Sequence, residues 1–139
     1  YCEIEAYTLP PSAIPEPLVA IIRQLMNIDD FSFHDSQILE VKETSEQTID
    51  FLIDFCTEWQ NNVFEKRILR FNDVINYHID EIPFGGRPTI LEIVNLGQIT
   101  KIFGTGRNQI EAVRNKIEMQ TNAGNRTIEY SDCELITPL

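Results

Sequence analysis

Residues 48–59 run Thr-Ile-Asp-Phe-Leu-Ile-Asp-Phe-Cys-Thr-Glu-Trp, and the fold turns on how they are read. Ile49, Phe51, Ile53, Phe55 and Trp59 fall on one side of a period-2 alternation. Thr48, Asp50, Asp54, Cys56 and Glu58 fall on the other, where Leu52 is the one apolar residue. Successive strand side chains point to opposite faces, so this pattern predicts an antiparallel strand with one buried and one wet face. Just upstream, residues 37–44 (QILEVKET) form a second strand-like run. Ser45-Glu46-Gln47 between the two supplies a turn, so the pair predicts a hairpin.

The rest of the chain extends this sheet. Residues 66–79 (KRILRFNDVINYHI) read as another strand, bulged at Asn72-Asp73, before Pro83, Gly85, Gly86 and Pro88 break the chain. Residues 89–96 and 98–103 suggest a hairpin around Asn95–Gly97. Residues 107–114 fit either a short helix or a connection. A closing hairpin turns at Asn122-Ala123-Gly124-Asn125, with Ile117 and Met119 facing inward from one strand and Ile128 and Tyr130 from the other. Toward the start of the chain, Leu18, Ile21, Ile22, Leu25 and Met26 recur at i, i+3, i+4, i+7 and i+8. With Pro15 and Pro17 near a first turn, that spacing predicts an amphipathic helix at 16–27, packed on Phe51, Ile53 and Phe55. Residues 1–13 fit an added strand or an ordered tail. The expected architecture is α+β, mainly β. It is a single domain over 1–139, with an antiparallel meander over 36–136 and one N-terminal helix packed on it.

Composition narrows the function. An apolar fraction of 42% and a charged fraction of 24% are ordinary globular values, which argues against wholesale disorder. No apolar run approaches the roughly 20 residues of a membrane-spanning helix. The net charge of −11 is lopsided. Residues 1–65 carry thirteen acids against Arg23 and Lys42, whereas residues 66–139 carry nine of each sign. Such a field repels nucleic acid and anionic lipid and attracts basic partners. Cys2, Cys56 and Cys133 are odd in number, widely spaced and without a Cys-x-x-Cys pair. They argue against a zinc site or a disulfide scaffold, and a reducing cytosol is the expected home, with a Cys56–Cys133 bridge as the alternative.

No catalytic motif stands out. A metal could take His34 and His78 with a neighbouring carboxylate, yet no spacing forces the two imidazoles together. His34 and Asp35 are therefore read as anchors tying a loop to backbone groups, with no metal and no cofactor expected. Ser36 is adjacent to both, and adjacent strand residues face opposite ways, so a Ser-His-Asp triad does not form. Gly104-Thr105-Gly106 lacks the third glycine of a dinucleotide loop, since residue 109 is Gln. The acids carry the binding reading. Asp50, Asp54 and Glu58 share one strand face, Glu43 and Glu46 lie at the adjoining turn, and Asp29 and Asp30 precede it. Like charges crowded on a sheet destabilise it, and a basic partner relieves the repulsion.

At His34-Asp35-Ser36 followed by Ile38-Leu39-x-Val41, the chain resembles a loose group of small bacterial domains with a Leu/Phe-His-Asp-Ser/Ala segment heading a first strand. Many of these are similar to immunity proteins of polymorphic or contact-dependent growth inhibition toxin systems. The likeness covers residues 31–43, and more weakly the Ile68-Leu69-x-Phe71-x-x-Val74 stretch and the final hairpin. It implies a non-enzymatic cytoplasmic protein that neutralises a basic toxin, a nuclease or another effector acting in the cytoplasm, by stoichiometric binding. It implies no nucleic-acid or membrane partner and fixes no binding residues. The competing expectations are an interaction domain without a toxin partner and an enzyme or metal-dependent ligand binder centred on His34 and His78.

Overall fold

The computed structural model describes residues 22–83 and 85–138. Nine strands run through them: β1 (Ile22–Met26), β2 (Gln37–Glu43), β3 (Ile49–Glu58), β4 (Val63–Asn72), β5 (Asn76–Glu81), β6 (Ile90–Phe103), β7 (Ile110–Thr121), β8 (Gly124–Tyr130) and β9 (Asp132–Thr137). All pairings between them are antiparallel. The strands form a five-stranded sheet in the order β1-β9-β4-β3-β2 and a four-stranded sheet in the order β5-β8-β7-β6.

The alternation of β3 is realised in its burial. Ile49, Phe51, Ile53 and Phe55 are buried, while Asp50, Leu52 and Asp54 between them are partly exposed. Residues of the other sheet complete the same core, among them Ile90, Ile117, Met119, Ile128 and Tyr130. The two sheets meet ring to ring. Phe71 of β4 lies edge-on to Tyr130 of β8 at 4.9 Å, and Phe51 of β3 to Tyr77 of β5 at 5.8 Å. Each such pair adds about 0.5–1.5 kcal/mol beyond area burial. Trp59 leaves the alternation, because a bulge between Cys56 and Glu58 shifts the register and the indole ends 46% exposed in the following turn.

Several expectations are corrected. The fold is not a helix packed on one meander. Among the described residues the only helical segments are two short 3₁₀ turns, Ile28–Asp30 and Gly106–Asn108. The C-terminal part of the expected helix is strand β1, with Met26 opposite Cys133 of β9. Residues 16–21 of that helix, and the tail at 1–13, lie outside the described residues. A five-residue window satisfies both a helical and a strand period, and the backbone ladder offered by β9 decides between them. The single strand expected at 66–79 is two strands in different sheets, separated where Asp73 adopts φ 52°. The hairpin expected at 89–103 is one long strand, bulged between Asn95 and Gly97. Residues 110–114 belong to β7, not to a helix.

The connection from β1 to β2 positions the candidate site. These strands are opposite edges of the five-stranded sheet, so residues 27–36 must cross over it. Ile28 and Phe33 anchor this crossing in the core. On its other side it runs along β6: Asp35 N–H donates to Ile90 O at 2.8 Å, and Ile90 N–H to Ser36 O at 2.7 Å. The crossing therefore closes the side of the structure where β6 would otherwise stand open.

Candidate acidic binding cleft beside β6

The crossing segment starts with a capped turn. Asn27 Oδ1 accepts from Asp29 N–H at 3.1 Å, and the Asp30 carboxylate accepts from Asn27 N–H at 3.3 Å. That reciprocal cap leaves Asp29 and Asp30 both exposed. Asn95 on β6 donates its side-chain amide to Asp29 Oδ2 at 3.0 Å. Further along, His34 Nδ1 lies 2.6 Å from Leu91 O, with Nε2 3.4 Å from Asp35 Oδ1. Asp35 holds φ 66°, a left-handed conformation that Asp tolerates better than most residues. The imidazole also stacks on Trp59, with centroids 5.6 Å apart and planes 19° apart. Phe31 and Phe33 pack against Phe55 beneath, at 6.3 and 5.5 Å.

Two concavities flank this segment. One, of about 470 Å³, lies between the crossing and β6 and is lined by Asp29, Phe31, Phe33, His34, Leu91 and Glu92, among others. The second, of about 450 Å³, opens on the other side of Ile28, where Asp30, Asn95, Asn115 and Asp132 contribute polar groups and Tyr130 an aromatic wall. Among the described residues no lysine or arginine lines either one. The chemistry offered is a negative rim over an apolar, aromatic floor, which suits a cationic side chain carried on an apolar stem.

The acids singled out in the sequence are divided by the structure. Asp29 and Asp30 sit at the clefts, with Asp35 on the same segment. Glu58 is exposed at the end of β3, next to Trp59, and accepts from the Asn61 side chain. Asp50 is held in a two-pronged pair by Arg70, at 2.7 and 2.9 Å, and stands opposite Lys42 on its other side. Asp54 stands opposite Lys66. The strand face that reads as uniformly acidic along β3 thus alternates in sign across the sheet. Glu43 and Glu46 lie at the β2–β3 turn, at the far end of a ten-residue strand from Glu58, and do not adjoin the clefts.

Chemistry of other kinds finds little to work with. His34 lies beside β6 and His78 is on β5, the opposite edge of the four-stranded sheet. Among the described residues no three His, Cys, Asp or Glu side chains are placed to hold a metal. Ser36 is fully buried. Cys56 and Cys133 are both free thiols. Burial pushes the Cys133 thiol up to about 12, so it is a poor nucleophile.

No family model matches this chain. Searches of curated proteins and of solved structures find no match either. Among the described residues no helix is long and apolar enough to cross a membrane. Two contributors to the site were not legible in the sequence. Glu92 lies in the strand expected at 89–96 and Asp132 within the sheet expected over 36–136, and neither stood out from its neighbours in the chain. Only the pairing of β6 and β9 into their sheets brings them beside Asp29 and Asp30.

Proposed function

We propose that this chain is an immunity protein, a non-catalytic cytoplasmic inhibitor that binds a basic toxin one to one. The observation that carries the reading is the pair of clefts beside the crossing segment, rimmed by Asp29, Asp30, Glu92 and Asp132 and, among the described residues, lined by no lysine or arginine. Next to them stands the exposed Trp59–His34 stack, flanked by Glu58 and Asp35. Binding hot spots favour such a composition, in which an aromatic anchor sits beside a concavity within a charged rim. A lysine or arginine of the toxin enters over Phe31 and pairs with Asp29 or Glu92. The long-range negative field speeds encounter, and the pairs that lose water in the complex slow dissociation. Asp50 is a poorer docking group, because a partner's cation must compete there with Arg70.

The test uses the toxin that this reading requires, sought as the C-terminal domain of a protein encoded by a neighbouring gene. Co-expression should restore growth, and the two purified proteins should form a 1:1 complex. The association rate should fall steeply as salt rises from 50 to 500 mM, by an order of magnitude or more. A joint Asp29→Ala and Glu92→Ala variant should bind more slowly and with a weaker salt dependence. Association that ignores both the salt and the substitutions would sink the proposed cleft. Failure of co-expression to restore growth would sink the immunity reading itself.

A further inference from the structure

The distal half of the β6–β7 hairpin stands clear of its sheet. β8 pairs with β7 only from Asn115 to Thr121, so, among the described residues, 98–103 and 110–114 pair in the backbone ladder only with each other. Lys101 reaches back to Glu129 at 2.5 Å, and Arg114 donates to Asp73 O at 2.9 Å, which fixes the root of this arm. Its outer part is apolar and wet. Ile102, Phe103, Ile110 and Val113 are all exposed, Ile102 by 62% and Ile110 by 67%. A two-stranded ribbon is marginal on its own, and apolar surface gathered on a projection marks a contact.

The backbone edge of the arm is also unguarded. Exposed edges are usually blunted by charges, prolines or bulges. The edge strand β2 carries Glu40, Lys42 and Glu43 and a bulge, and β5 carries Asp80 and Glu81 with Pro83 just beyond. The first half of β6 is covered by the crossing segment, through Ile90, Leu91 and Asn95. Residues 98–103 (QITKIF) have one charge and no proline, and among the described residues none hydrogen-bonds their outer edge.

We propose that this edge pairs antiparallel with the same residues of a second copy of the chain, about a two-fold axis at Thr100, joining the two four-stranded sheets into one. The strand is complementary to itself in that register. Thr100 meets Thr100, a favourable cross-strand pair, and Gln98 meets Ile102. Lys101 falls opposite Ile99, so no like charges are opposed. Phe103 falls over Gly97, where a side chain would meet nothing within 4 Å, so the ring has room to cover bare backbone. The two-fold closes the contact at two copies. Two chains of net charge −11 repel, and the pairing keeps the acids of residues 1–65 out of the contact, since residues 98–116 carry Lys101, Arg107, Arg114 and Lys116 against Glu111 alone.

Sedimentation of the full chain tests the proposal. A concentration-dependent dimer is expected below about 100 μM, modest in affinity because a contact of this length is smaller than a standard interface. Added salt should strengthen it by screening the net repulsion, the opposite of the salt effect expected for toxin binding. In a Cys2→Ser background, Thr100→Cys should cross-link to itself on oxidation, because directly opposed residues lie within disulfide reach. Glu111→Cys, on the inner strand of the arm, should not. Ile102→Lys should weaken the dimer tenfold or more while leaving the denaturation midpoint within error of wild type. A monomer at all concentrations, equal cross-linking at positions 100 and 111, or a dimer indifferent to Ile102→Lys each overturns the pairing. The toxin-binding reading survives all three results, because it uses the opposite, covered half of β6.

Discussion

Arg126→Met should be among the most costly single substitutions in this protein, and Glu81→Leu should undo most of the damage. Arg126 on β8 is 7% exposed and grips Glu81 on β5 through Nε at 2.6 Å and Nη2 at 2.9 Å. Its Nη1 donates to the Tyr77 hydroxyl at 2.9 Å. Both charged side chains are only 9% exposed. Methionine keeps the apolar stem but leaves the Glu81 carboxylate in a site where water cannot fully replace the guanidinium. Stranding one partner of a buried pair costs about 3–5 kcal/mol, a large share of a total stability of roughly 5–15 kcal/mol. With a urea slope of about 2 kcal/mol per molar, the midpoint should drop by about 2 M. Arg126→Met with Glu81→Leu removes both charges together. Such replacements are commonly neutral or stabilising, so the double variant should return to within about 1 kcal/mol of wild type. Urea titration at pH 7, followed by far-UV circular dichroism, reads all three proteins. A single variant within 1 kcal/mol of wild type, or a double variant no better than the single, would refute this account of how β5 is held to β8.

Asp50→Ala should cost only about 1 kcal/mol by the same titration, because the Asp50–Arg70 pair is partly exposed and solvent screens it. Stability should fall between about pH 9 and 12. Burial raises the Cys133 thiol to about 12 and raises the Tyr130 hydroxyl too, so the unfolded chain releases these protons first and unfolding gains with each step up in pH. Cys133→Ala should make that decline shallower, and an unchanged pH profile would contradict the assigned burial. Gly104→Ala should distort the arm's turn, since φ is +86° and a Cβ at this position would run into the Asn108 carbonyl oxygen. Faster amide exchange across residues 103–110 would register it.

The sequence revealed structure where burial has two clearly different sides. β3 and the β7–β8 hairpin each place one face on a common core, so Phe51, Ile53, Ile117 and Ile128 announce themselves by alternation. The signal failed where that contrast is missing. Residues 110–114 have Ile110 and Val113 exposed on an arm with no buried face, so nothing in their pattern distinguished strand from helix. Residues 22–26 became a strand because β9 offers a ladder from more than a hundred residues away, which no local window contains. The candidate site was half legible. Asp29, Asp30, His34 and Asp35 are neighbours in the chain and stood out as such. Asp50 looked free because its partner Arg70 is one strand over, and sign alternation across a sheet is invisible along a single strand.

Amide hydrogen exchange of the protein, alone and bound to the proposed toxin partner, tests the assignment of the cleft. Exchange measures opening residue by residue and so reports which backbone the partner covers. The account predicts slowed exchange on binding over residues 27–36, at 91–95 of β6 and around Trp59, with Thr44–Thr48 at the opposite end of β3 unchanged. Protection confined to that turn, or to the outward face of β3 around Asp50 and Asp54, would contradict it.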